Sequence, residues 1–147
     1  VFVFFGVVAT VGSAYVQTEH LSRLSLASSV PVGLLATALL VVNNLRDIPG
    51  DTEVGKNTLA VRLGDTRTRY FYTVLLVVPY LCVPLIAGLG GRPAAALALG
   101  SVILAQKPVI AVLSGAKGPA LIPVLGATGR VQLVFGALLA LGLAISA

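Results

Sequence analysis

Apolar runs about as long as a bilayer is thick alternate with short polar punctuation along this chain. Five windows stand out, at about residues 1–17, 28–45, 70–89, 93–113 and 129–147. A helix needs about 20 mainly apolar residues to cross the hydrocarbon core, so the pattern predicts an all-α bundle of about five transmembrane helices. The windows are longer than a barrel strand and do not alternate, which argues against a membrane β-barrel. Pro49-Gly50 is expected to end or kink the second helix, Gly64 to end a turn after Lys56, and Asp65 with Thr66 to cap a helix that begins near Arg69. Leu89-Gly90-Gly91-Arg92-Pro93 reads as a tight hairpin between the third and fourth helices. The longer connection that opens at Ser114 is expected to carry a short interfacial helix over 121–125. With no internal repeat, residues 1–147 read as one membrane domain.

Composition turns that pattern into a setting. The chain is 57% hydrophobic and only 10% charged, with a mean hydropathy of +1.01, whereas soluble domains carry about a quarter charged residues. Met is absent, and apolar runs open at Val1 and close at Ala147, so a piece of a longer protein is expected. The first run has no basic leader and is read as a helix, not a signal peptide. Arg46, Lys56, Arg62, Arg67 and Arg69 follow the second helix, and Lys107, Lys117 and Arg130 flank the fourth-to-fifth connection. Only Arg23 and Arg92 fall on the other side, so the positive-inside rule makes the loop after helix two cytoplasmic, in a multi-pass protein of the cell membrane. Topology and anionic headgroups account for the net positive charge, so no nucleic-acid partner is expected.

Four of the five carboxylates lie between Asp47 and Asp65. Asp47 and Asp51 are four residues apart, a spacing that brings two carboxylates to one helix face, where they can share a divalent cation. Asn43, Asn44, Arg46, Lys56 and Arg62 add amides and cations beside them. Hard Mg²⁺ bridging carboxylate and phosphate oxygens, next to Lys and Arg, suits a diphosphate, and the chemistry suggested is its departure. A solvated, self-paired surface loop is the bland alternative; so few charges elsewhere argue against it. Asp65 is read as structural. His20 with Glu19 lies on the opposite side without a third ligand and is read as interfacial. Tyr15 and Gln17 read as headgroup-level or hydrogen-bonding anchors, Lys107 beside Gln106 as a snorkelling side chain, and Cys82 as a small buried residue.

The run Asn43-Asn44-Leu45-Arg46-Asp47-Ile48-Pro49-Gly50-Asp51, followed by Gly55-Lys56-Asn57-Thr58-Leu59-Ala60-Val61-Arg62-Leu63-Gly64, closely resembles the second aspartate-rich motif of the UbiA superfamily of intramembrane aromatic prenyltransferases. Its Asn-Asn-x-Arg-Asp form resembles the branch that acts on 1,4-dihydroxy-2-naphthoate in menaquinone synthesis. Residues 1–18 and 120–129 are similar to that branch as well, so the resemblance covers nearly the whole chain. It implies a nine-helix bundle around a cavity, of which these are the last five helices. A first motif, of the form Asn-Asp-x-x-Asp, would belong to the other half and is absent here. The resemblance further implies that Asp47 and Asp51 hold Mg²⁺ against a polyprenyl diphosphate, while Lys56, Arg46 and Arg62 bind its oxygens and Asn43 and Asn44 line the substrate site. Ionisation of the prenyl diphosphate, attack by the naphthalene ring and loss of its carboxylate would then give demethylmenaquinone.

Other classes make different demands. A relative within the superfamily would use another acceptor, such as 4-hydroxybenzoate or haem. A CDP-alcohol phosphotransferase needs an Asp-Gly-x-x-Ala-Arg signature, which this sequence lacks. A transporter would gather charge near the bilayer midplane on broken helices, whereas here the charges cluster at one face.

Overall fold

The computed structural model describes residues 1–146, Leu89 by its backbone alone, and the described residues are helical with no strand. Five helices follow one another: α1 (Phe2–Thr18), α2 (Arg23–Glu53), α3 (Leu59–Leu89), α4 (Pro93–Leu113) and α5 (Gly118–Ile145). The last four are long and apolar enough to cross a bilayer, whereas α1 is shorter. It opens with seven residues in wide π-type turns before ten in regular α geometry.

Local chemistry sets most boundaries. The Ser22 hydroxyl accepts the Ser25 N–H at 2.9 Å and caps α2, and the Thr58 hydroxyl accepts the Val61 N–H at 3.3 Å and caps α3. Helices α2, α3 and α4 all end the same way, with a left-handed glycine and an N–H reaching back five residues: Lys56 to Asp51, Arg92 to Ala87, and Ala116 to Ala111.

Three expectations are corrected here. Pro49-Gly50 does not end α2, which runs on to Glu53; the glycine cap at Gly55 closes the helix one turn later and outweighs the single N–H that proline removes. Asp65 does not cap a helix near Arg69. Gly64, at φ 76° and ψ 170°, breaks α3 into a short helix over 59–63 and a long one from 65, and the Asp65 carboxylate turns to Arg69 instead of to the backbone. No separate interfacial helix covers 121–125, because a 3₁₀ turn over Gly118–Leu121 feeds directly into the α-helix Ile122–Ile145. The fifth helix therefore starts well before residue 129, proline at its first positions being compatible with a helix start. Ala147, the last residue of the predicted fifth window, lies outside the described residues.

The core forms where α2 meets α3, with α4 and α5 closing one side. Leu35, Ala38, Val42 and Leu45 meet Tyr72, Leu76 and Val83, and Ala98, Val112, Val131 and Phe135 complete the cluster. Lipid offers little hydrophobic incentive for helices to associate, so close approach and polar bridges carry much of the packing. Gly6 and Gly33 bring α1 onto α2 so tightly that a Cβ on Gly6 would lie 2.6 Å from the Gly33 Cα. The Tyr72 and Thr128 hydroxyls meet at 2.7 Å, those of Tyr80 and Ser101 at 3.0 Å, and the Tyr80 ring stands edge-on to Phe135. Phe4 and Ile103 are exposed on the outside of the bundle, as lipid-facing side chains are.

Candidate functional site at the polar end of the second helix

At about 1.5 Å per residue, the 31 residues of α2 span roughly 46 Å, well beyond a hydrocarbon core of about 30 Å. A helix of that length has turns to spare, and the charged last turns, past the 28–45 window, are the ones suited to lie outside the apolar layer. One face of the helix changes character along its length: Ala36 and Leu40, then Asn43, then Asp47, then Asp51. The spacings of three and four residues put them on one stripe. Around its charged end lies an open groove of about 590 Å³, lined by Arg46, Asp47, Gly50, Asp51, Lys56 and Gly118 among others. Around its apolar part lies a second groove of about 600 Å³, lined by Val1, Phe5, Ala36, Leu39, Leu40, Asn43, Leu125 and Gln132. Asn43 joins the two, its Nδ2 lying 3.4 Å from the Asp47 Oδ2.

Each carboxylate is held by a cation of its own. Arg46 grips Asp47 with two donors, Nε to Oδ1 at 2.7 Å and Nη2 to Oδ2 at 3.0 Å. The hydrogen bond from Arg46 holds the Asp47 carboxyl below the ordinary carboxylate range, with the charges of Arg46 and Lys56 acting the same way against partial desolvation. Lys56 Nζ lies 3.3 Å from Asp51 Oδ1. The Asp51 side chain is only 12% exposed while that of Lys56 is 67% exposed, so the ammonium covers the carboxylate from the solvent side.

A neighbouring clasp fixes the walls of the charged groove. Arg69 is buried, and its guanidinium binds Asp65 through Nε at 2.6 Å and Nη2 at 2.8 Å. The same group donates to the Val112 and Ala116 carbonyls at the C-terminal end of α4. It thus caps one helix from another, cations being favoured at helix C-termini. Arg69 pulls the Asp65 carboxyl below its usual range, with help from Lys117. The chain leaving this clasp reaches Gly118, which lines the carboxylate groove. Neither the clasp nor the share of the α4–α5 connection in the site is evident from sequence, because Arg69 meets residues 43 and 47 positions away.

Of the site residues expected from sequence, Asn43, Arg46, Asp47, Asp51 and Lys56 come together. Asn44 turns to another side of α2, into a small cavity with Thr37, Ala60, Leu63, Thr68 and Phe71. Arg62 is exposed on the 59–63 helix and does not line the carboxylate groove.

No cluster of three or more Asp, Glu, His or Cys that could hold a metal ion occurs among the described residues. Two carboxylates on one helix face still fit Mg²⁺, which binds through one or two carboxylates, keeps several waters and takes its remaining ligands from substrate phosphates. Asp47 and Asp51 suit such a partial site.

The chain is thus a bundle of long apolar helices in which one helix end carries paired acids and cations, with an apolar groove one turn away along the same face. The chain belongs to the UbiA prenyltransferase family, which it matches over residues 1–116. It is 44% identical over 135 residues to the 1,4-dihydroxy-2-naphthoate octaprenyltransferase of Mycobacterium tuberculosis, an alignment covering 92% of this chain and 46% of that protein. The Escherichia coli protein of the same name is 46% identical over 85 residues, 58% of this chain and 28% of the relative. The UbiA prenyltransferase domain-containing protein 1 of Danio rerio is 43% identical over 77 residues, covering 52% and 23%. The chain thus spans about half the length of the mycobacterial relatives it matches. No solved structure matches it.

Proposed function

We propose that this chain is the C-terminal half of a membrane enzyme that transfers a polyprenyl group from its diphosphate to 1,4-dihydroxy-2-naphthoate, giving demethylmenaquinone. The observation that carries this reading is the stripe on α2, where an apolar groove leads through Asn43 to Asp47 and Asp51. That arrangement places an apolar run beside a charged end, the polarity of a prenyl diphosphate, with Arg46 and Lys56 as the cations for its oxygens. The names of the relatives support the naphthoate acceptor.

In this reading Lys56 and Arg46 turn from their carboxylates to the diphosphate oxygens, and Asp47 and Asp51 take up Mg²⁺. An ion held there would supply positive charge against that growing on the departing diphosphate. The apolar walls of the groove keep water from the allylic cation until the aromatic ring attacks. The first four helices of the complete protein would supply the facing carboxylate motif, and the charged end of α2 would lie on the cytoplasmic side of the cell membrane.

The test is the full-length protein in detergent with Mg²⁺, a polyprenyl diphosphate and 1,4-dihydroxy-2-naphthoate. Prenylated, decarboxylated product with stoichiometric diphosphate release supports the reading. Transfer to a different aromatic acceptor alone, or no diphosphate release, overturns it.

A further inference from the structure

Gln132 is a neutral amide in the middle of an apolar helix. At 1.5 Å per residue it lies about 20 Å along α5 from Gly118, near the middle of that helix and two residues beyond Arg130. Its side-chain amide has no hydrogen-bond partner among the described residues, whereas the hydroxyls of Thr128, Tyr72, Tyr80 and Ser101 do, and the Ser28 hydroxyl is buried without one. The residue is half-buried and its side chain opens onto the grooves on either side of it, so the amide is free to meet a ligand there.

Gln132 lines the 600 Å³ groove that Asn43 connects to the carboxylates, and also the adjacent groove of about 440 Å³ bounded by Val32, Phe135, Gly129 and Gly136. With no side chains of their own, Gly129 and Gly136 leave the helix surface around the amide open. The volume suits a ring compound, since small-ligand sites run to about 300–1,000 Å³ with a few placed polar groups. A prenyl tail offers the amide no partner; an aromatic ring bearing oxygens does.

We infer that Gln132 is an acceptor-binding, specificity-determining residue whose amide hydrogen-bonds an oxygen substituent of the aromatic acceptor and orients the ring beneath the diphosphate site. This rests on the prenyl-transfer reading above. Discrimination through such a contact is strong, because a site built to hydrogen-bond an oxygen rejects the analogue that lacks it.

Kinetics of the full-length protein test it with Gln132→Met and Gln132→Leu, which keep the bulk and remove the amide. The expected result is at least a tenfold rise in KM for 1,4-dihydroxy-2-naphthoate, with KM for the prenyl diphosphate within twofold of wild type. A second measurement compares 1,4-dihydroxy-2-naphthoate with 1-hydroxy-2-naphthoate and 4-hydroxy-2-naphthoate. Wild type should discriminate against at least one of these analogues, and the Met variant should lose most of that discrimination. An unchanged acceptor KM, an equal rise in both KM values, or loss of folded protein with discrimination unchanged in any surviving activity makes Gln132 a packing residue and overturns the assignment. Wild type without any transfer to the naphthoate defeats the prenyl-transfer reading itself, whereas an active wild type with an indifferent Gln132→Met defeats only the role of Gln132.

Discussion

Lys56 is bound to Asp51 twice, its backbone N–H to the Asp51 carbonyl at 2.8 Å and its ammonium to the Asp51 carboxylate at 3.3 Å. The first contact makes the second possible. Closing α2 with an N–H that reaches back five residues reverses the chain and returns the Lys56 side chain to the acid one turn before the helix end. The reversal needs a left-handed residue between them, and Gly55, at φ 71°, supplies it.

Gly55→Ala should therefore weaken the site without touching a charged group. Holding alanine in the left-handed region costs about 1–2 kcal/mol, which the loop can relieve by moving Lys56 away from Asp51. The expected outcome is weaker retention of a prenyl diphosphate analogue, by roughly tenfold on that energy scale, with membrane insertion intact. Gly55→Asn should fall between Ala and wild type, because Asn tolerates this conformation better. Equilibrium binding to the purified full-length protein measures both.

Removing the Arg69 guanidinium should destabilise the bundle near the site. Arg69→Met takes the guanidinium from the Ala116 carbonyl, the Asp65 carboxylate and the Val112 carbonyl, which keeps only the Gly115 N–H, and a part-buried acceptor that loses its donor costs about 1–3 kcal/mol. A lower thermal midpoint in detergent is expected. Rescue by Arg69→Lys should be poor, because one ammonium cannot reach three acceptors in a forked arrangement.

The Asp65–Arg69 pair also predicts an acid limit. Arg69 lowers the Asp65 pKa in the folded state, so the unfolded chain binds the proton more readily. The pair stabilises the fold above the unfolded carboxyl value of about 3.9, and that contribution is lost as pH falls through the lower folded value. Between pH 7 and about 5 the Asp65 contribution should be flat. Below about pH 4 wild type should lose stability more steeply than Asp65→Asn, as thermal melts across that range would register.

Orientation gives a prediction independent of chemistry. Lys107 and Arg130 lie inside α4 and α5, so Arg46, Lys56, Arg62, Arg67, Arg69 and Lys117 are left at one end of the bundle against Arg23 and Arg92 at the other. By the positive-inside rule that asymmetry predicts an orientation with the acidic groove toward the cytoplasm. Tags inserted after Gly64 and Gly118 should be protected from an external membrane-impermeant reagent, and tags near His20 and Gly91 should react. The reverse pattern would contradict the assignment.

The acidic stripe was legible because helical spacing alone brings Asn43, Asp47 and Asp51 to one face, and the apolar windows set the number of helices. Rules that stop at single residues fell short. Pro49-Gly50 was expected to end or kink a helix that runs on to the cap at Gly55, and the prolines and glycines over 118–123 look like a loop although they start α5. Arg69 read only as a topology charge, because its partners lie on a different helix. Gln132 could have been singled out as the lone amide in the last apolar run, but nothing nearby in sequence says that Asn43 shares its groove.

The most direct measurement is Mg²⁺-dependent turnover of the full-length protein carrying Asp47→Asn or Asp51→Asn, with prenyl diphosphate and 1,4-dihydroxy-2-naphthoate saturating. Both acids are proposed to hold the ion that stabilises the departing diphosphate, so each change should slow product formation by on the order of a hundredfold or more while leaving the protein inserted and folded. Wild-type turnover by either variant at saturating Mg²⁺ would contradict the assignment of the acidic end of α2 as the diphosphate site.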